Sequence, residues 1–252
     1  MMTSAKRPGF RVKTFPTRAV CGAEAGNAAG ESIRTILARQ AEARVIFAAA
    51  PSQSEMLSHL ISFSGIDWSR VTAFHMDEYV GLAANAPQRF ANWLDRHLFT
   101  LVPIGRVERL RPEPDPDHEC ESYAALLNEA PIDLVCLGIG VNGHLAFNDP
   151  PVADFNDRFD VKRVELDAIC RQQQVDDGAF AAIHDVPAEA ITLTIPRLMR
   201  ADRLISTVPG PAKRAAVSAA LHGPLTTACP ASILRMHPDC TLYVDSEANP
   251  NG

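Results

Sequence analysis

The sequence predicts an α/β fold: a single doubly wound, mostly parallel sheet with helices on both faces, Rossmann-like in outline. Three observations carry that expectation. Apolar runs of strand length alternate with helical patterns along nearly the whole chain, the order expected of parallel strands joined by crossover helices. One run, residues 132–139 (IDLVCLGI), is continuously apolar after Asp133 and suits a strand buried on both faces. The residues able to carry chemistry follow such runs, at strand carboxyl ends, where open α/β sheets gather ligands.

Residues 1–43 read as an N-terminal arm followed by one helix over 26–42. Residues 44–50 (RVIFAAA) form the first clear strand, which stops at Pro51-Ser52. Ser52 and Glu55 have capping-box spacing, and Met56, Leu57, Leu60 and Ile61 fall on one face of the helix that follows. Residues 71–75 (VTAFH) are a second strand, ending in the acidic turn MDEY. Asn85 and Pro87 suit a helix entry, and Phe90, Trp93, Leu94 and Leu98 form that helix's apolar stripe. After the 132–139 strand comes the turn GVNGH. Residues 150–163 are polar and irregular, like a mobile lid. Residues 190–195 and 203–208 read as strands, Pro211 and Gly223 bracket a helix, and 240–244 closes the set. With no repeat and no linker, the expectation is one domain over 1–252.

The chain has 252 residues, 46% hydrophobic and 21% charged, ample for a self-sufficient core. Thirty acids against twenty-four bases, a net charge of −6, argue against a nucleic-acid binder. Six scattered cysteines without a CxxC pair or zinc-ligand spacing read as reduced, structural thiols. No apolar stretch approaches a membrane span, and the basic N-terminal tip has no apolar run behind it. The expectation is a cytoplasmic protein without a membrane or nucleic-acid partner, with a homo-oligomer left open.

Three strand ends are chemically loaded. The letters GxGxxG appear at 138–143, but Asn148, Asp149 and two prolines follow at once, so no helix opens there and a nucleotide is not implied. His144 with Asp149 five residues on is a spacing at which a carboxylate can orient an imidazole for acid–base work. Asp77 and Glu78 form a like-charge pair, which can raise one pKa; equally, one of them can cap the next helix.

Together, FHMDEYVGL (74–82), GIGVNGHLAFNDP (138–150) and PASILRMHP (230–238) resemble the glucosamine-6-phosphate deaminase/isomerase family in order and spacing. The likeness runs from about residue 44 to 247 and includes QRFANWLDRHLF (88–99) and VPGPAKRAAV (208–217). The resemblance implies conversion of glucosamine 6-phosphate and water to fructose 6-phosphate and ammonia, with no metal or redox cofactor. Asp77 would be the base that moves a proton between C2 and C1. His144 would open the sugar ring, oriented by Asp149, which stands where the family usually has Glu. Asn142 stands where many members carry Asp. The phosphate would bind at Ser52, Gln53 and Ser54 and at Lys213, with Glu78, Gly140 and Gly143 completing the substrate contacts.

The departures from the family concern specificity. The family's glycine-rich phosphate turn is here AAPSQSE. The arginine some members carry before a lid phenylalanine is absent from CRQQQVDDGAF, leaving Arg171 as the candidate replacement. The C-terminal extension that carries an allosteric site in some members is missing, so that regulation is not expected. Two rival readings are a 6-phosphogluconolactonase-type hydrolase, whose family lacks MDEY, and a non-catalytic sugar-phosphate sensor, which would carry a helix-turn-helix segment.

Overall fold

The computed structural model describes residues 9–251; the basic tip before them lies outside the described residues. In chain order the strands are β1 (Gly9–Phe15), β2 (Ala43–Phe47), β3 (Val71–His75), β4 (Asp77–Tyr79) and β5 (Arg106–Glu108), then β6 (Leu134–Leu137), β7 (Val161–Glu165), β8 (Glu189–Leu193), β9 (Arg203–Val208) and β10 (Asp239–Asp245). Seven of them form one sheet in the order β1-β10-β9-β6-β2-β3-β5. Every neighbouring pair in it is parallel.

The helices are α1 (Arg18–Leu37), α2 (Ser54–Ser62), α3 (Phe90–Leu94), α4 (Pro116–Asn128), α5 (Ala168–Asp176), α6 (Ile195–Met199) and α7 (Arg214–His222). Strand side chains alternate between two cores because successive residues point to opposite faces. Val45 and Phe47 of β2, with Leu134 and Cys136 of β6, join the core under α1 and α2. Ile46, Val135 and Leu137 join the core that includes Tyr123 of α4 and Val217 of α7. The expected mostly parallel sheet, covered on both faces, is therefore present.

Four local expectations change. β1 was not anticipated, because GFRVKTF has no apolar run. It is an edge strand, held by its register against β10 from Gly9↔Asp239 to Phe15↔Asp245. Helix α1 starts at Arg18 instead of residue 26, capped by the Thr17 hydroxyl accepting from Val20 N at 3.3 Å. Its buried face is built from small residues such as Ala25, Gly26 and Ala29, which give weak hydropathy periodicity. The acidic MDEY segment is a short strand, β4, not a turn. With β8 and β7 it makes a separate three-stranded antiparallel sheet, order β4-β8-β7, so the 190–195 strand serves this sheet and the lid segment ends in β7.

The sheet order locates the site. From β2 the chain steps to β3 and β5 on one side, then crosses to β6, β9 and β10 on the other. Successive connections diverge between β2 and β6, and such a switch point leaves a crevice at the strand carboxyl ends. Among the described residues, no helix is long and apolar enough to cross a membrane.

Candidate active site

A cavity of about 650 Å³ opens over the β2/β6 switch point. Four neighbouring strand ends line it: Asp77 after β3, Ser52 after β2, Gly138 and Gly140 after β6, and Lys213 after β9. His144, Phe90 and Trp93, with Gln173 and Gln174 of α5, complete the walls.

Asp77 is 7% exposed, and its carboxylate has no hydrogen bond or ion pair to the described residues. Burial pushes its pKa well above the usual carboxylate range, and the charges of Glu78 and Asp149 add to the effect. Its backbone is pinned from behind by His75. The Nδ1–H of His75 donates to the Asp77 carbonyl at 3.0 Å, and Nε2 accepts from Leu110 N at 2.8 Å, which sets the tautomer. Burial pushes the His75 pKa down to about 3, so the ring stays neutral.

Glu78, expected to touch substrate, instead turns away from the cavity and is fully buried. Its Oε1 accepts from Tyr79 N and Phe90 N, and its Oε2 accepts from Ala91 N, each at 3.0 Å. It caps α3, the second of the two roles open for the acidic pair. Burial raises its pKa to about 6, against the opposing pull of those three amides and of Arg89.

His144, which lines the same cavity, has its Nδ1 2.9 Å from Asp149 Oδ1. The same oxygen accepts from Asn142 Nδ2 at 2.8 Å, while Asn142 Oδ1 accepts from the His144 amide at 3.0 Å. Asn142 thus clamps both members of the pair without lining the cavity. Asp149 is 1% exposed. Burial pushes its pKa up, but the hydrogen bond and charge of His144 and the hydrogen bond from Asn142 bring it below the usual range.

Of the two glycines expected to contact substrate, Gly140 lines the cavity and Gly143 does not. A Cβ on Gly140 would stand 2.2 Å from the His144 ring, so this glycine makes room for the imidazole. Gly143 has φ +86° and packs against Cys229, away from the cavity. The Cys170 thiol, with His144 and Asp149, completes a trio whose donor atoms lie within 4.8 Å of one another. It is the sole such trio with metal-ligand chemistry among the described residues, and its imidazole and carboxylate are already hydrogen-bonded together.

Ser52 and Lys213 also line the cavity. Burial lowers the Lys213 pKa, partly offset by the negative charge of Asp177. The expected capping box does not form. Ser52 Oγ accepts from Gln53 Nε2 at 3.1 Å, while Glu55 pairs with Arg18. Gln53 is fully buried, also donating to the Thr207 carbonyl at 3.0 Å, and so braces the turn from beneath. Ser54 opens α2 and does not line the cavity.

Arg171 does not replace the absent lid arginine, because its Nη2 is committed to the carbonyls of Ile183 and Val186 at 2.7 and 2.9 Å. The lid instead brings two glutamines. Gln173 accepts from Val141 N at 3.0 Å, and Gln174 accepts from the Tyr79 hydroxyl at 2.7 Å. Sequence reasoning missed these glutamines, His75 and Arg18: His75 sits inside the FHMDEYVGL motif but acts from behind Asp77, and the others reach the site only through packing. The assembled groups amount to an unpaired buried carboxylate, an imidazole–carboxylate pair and a lysine cation around one cavity. Such a cavity can shift a proton between adjacent atoms of a small anionic ligand.

Comparison with known proteins places the chain in a family. Residues 16–158 match the family described as glucosamine-6-phosphate isomerases/6-phosphogluconolactonase. A glucosamine-6-phosphate deaminase of Exiguobacterium sibiricum is 35% identical over 190 residues, covering 73% of this chain and 71% of the relative. One from Streptococcus gordonii is 33% identical over 232 residues, covering 89% and 93%. A solved monomeric glucosamine-6-phosphate deaminase superposes with a TM-score of 0.86 at 26% identity, covering 94% of this chain and 98% of that one. A 6-phosphogluconolactonase from Thermotoga maritima, at TM-score 0.77 and 17% identity, shares the fold. The chain belongs to the glucosamine-6-phosphate isomerase/6-phosphogluconolactonase family.

Proposed function

We propose that this protein is a glucosamine-6-phosphate deaminase, which takes glucosamine 6-phosphate and water to fructose 6-phosphate and ammonia. The observation that carries the reading is the unpaired, buried carboxylate of Asp77 lining one cavity with His144, whose ring is bonded to Asp149. A hexosamine ammonium placed against Asp77 supplies the positive charge that the protein withholds, which lowers the carboxyl pKa and returns it to its basic form. Asp77 then takes the proton from C2 and delivers it to C1 while a proton of the ammonium passes to the C1 oxygen, leaving an iminium at C2 that water hydrolyses with loss of ammonia. His144, polarised by Asp149, moves the proton between the C1 hydroxyl and the ring oxygen as the ring opens. Asn142 keeps the pair aligned without adding charge. Ser52 and Lys213 hold the phosphate, a dianion suited to a lysine point charge.

Every group in this mechanism comes from one chain, whose two sheets act as one domain around the cavity. Six buried, unpaired cysteines fit a cytoplasmic setting. The test is to incubate the purified protein with amino- and hydroxy-sugar phosphates, measuring ammonia and ketose separately. One ammonia per ketose from glucosamine 6-phosphate is expected. Hydrolysis of 6-phosphogluconolactone without ammonia release from the amino sugar would reverse the assignment.

A further inference from the structure

Resting on that reading, we infer that Arg18 is a direct ligand of the substrate phosphate, supplying a second positive charge from α1. A phosphate dianion in a partly buried pocket calls for more than the single ammonium of Lys213. The lid does not provide it, because Arg171 is bonded elsewhere and the lid residue nearest in charge to Lys213 is the acid Asp177. Arg18 lines the same cavity as Ser52 and Lys213. Its Nε donates to Glu55 Oε1 at 2.6 Å, and Nη2 donates to the Pro51 carbonyl, so the guanidinium lies against the turn between β2 and α2. Nη1 has no protein partner among the described residues, and the side chain is 40% exposed. A guanidinium carries five donors in a planar fork, so donors remain for a phosphate.

Helix packing explains how a residue so far along the chain from the motifs arrives there. Gly22, Gly26 and Gly30 form a seam at four-residue spacing. A Cβ on them would fall 2.3 Å from Glu55 Cβ, 2.5 Å from the Met56 carbonyl and 2.4 Å from the Phe63 ring, respectively. The seam lets α1 lie directly on α2. Arg18 continues it one step further, over the phosphate turn. The same contact neutralises Glu55, a carboxylate that would otherwise face the incoming anion.

Inorganic phosphate, titrated calorimetrically into the full-length protein, tests the assignment. Arg18→Ala should raise the phosphate Kd about 10- to 100-fold, the span of a charge-assisted hydrogen bond. The fall in kcat/KM for glucosamine 6-phosphate should appear in KM. Arg18→Lys, which keeps the charge and loses the fork, should lie between wild type and Ala, and serves if the Ala variant folds poorly. The double variant Arg18→Ala/Glu55→Gln, which also removes the carboxylate that the first change leaves unpaired, should recover only part of the lost affinity. Wild-type affinity in Arg18→Ala overturns the proposal, and so does full recovery in the double variant, which would make Arg18 a mere neutraliser of Glu55. If the wild type releases no ammonia while Arg18→Ala still weakens phosphate binding, the deaminase reading fails and the Arg18 assignment stands.

Discussion

Asp77 sits where its own charge is unwelcome, and two expected outcomes follow at that residue. Burial raises its folded pKa far above the unfolded carboxylate value. The ionised unfolded state is therefore favoured as pH rises from about 4, and the wild type is less stable at neutral pH than it would be without this acid. Asp77→Asn should abolish proton exchange at C2 while raising stability at pH 7 by about 0.5–2 kcal/mol, a gain that shrinks as pH falls toward 4. Solvent-deuterium exchange and thermal unfolding at the two pH values measure both effects. Free-enzyme activity should fall as pH drops through the raised Asp77 pKa, because the base must be ionised. Across the cavity, Gly140→Ala should place a methyl group into the His144 ring position and cut kcat about 100-fold, the scale of an ångström-level misplacement. Circular dichroism should remain that of the wild type; full activity would show that the ring can move without cost. The MDEY motif made Asp77 legible, but only the structure separates it from the likewise buried Glu78, whose carboxylate is committed to three amides while that of Asp77 lines the cavity.

Glu78 illustrates what an element requires of its neighbours. The first amides of α3 have no intrahelical acceptors, and the preceding residues offer no side-chain cap. The buried carboxylate of Glu78 accepts from two of those amides and from Tyr79 N, tying the helix to β4. Glu78→Ala should destabilise the protein by about 1–3 kcal/mol in urea unfolding, the cost of leaving buried donors without partners. Since burial lifts the Glu78 pKa to about 6, its ionised form is disfavoured in the folded state. The deficit should therefore be larger near pH 4.5 than at pH 7. An equal deficit at both values would mean the carboxyl titrates as it does in the unfolded chain. A comparable constraint acts in the turn after β6, where Ala146 has φ +51°. The bonds of Asn148 Nδ2 to the carbonyls of Leu145 and Leu193, both 2.8 Å, hold the segment in place.

For the whole molecule, the close approach of α1 to α2 ties the start of the chain to the phosphate turn. Gly26→Ala should cost about 1–3 kcal/mol, because its Cβ would meet backbone at 2.5 Å and the helices must part. If the seam also positions Arg18, the variant should lose phosphate affinity as well, readable by the same calorimetry; unchanged stability would show that the seam is slack. Sequence alone determined the parallel core, since strands buried on both faces are rich in apolar residues, and 44–50, 71–75, 132–139 and 203–208 stand out as mostly apolar runs of strand length. It also determined which strand ends carry polar groups, because catalysis and anion binding need particular residue types in any setting. Tertiary structure alone decided the edge strand β1, whose pairing with β10 comes from register and not from hydropathy. It likewise decided the three-stranded sheet, the Glu78 cap, the commitment of Arg171 to lid carbonyls and the arrival of Arg18. Those outcomes depend on which distant groups become neighbours, and burial, hydrogen-bond competition and steric fit are properties of that neighbourhood, invisible in the linear order of residues.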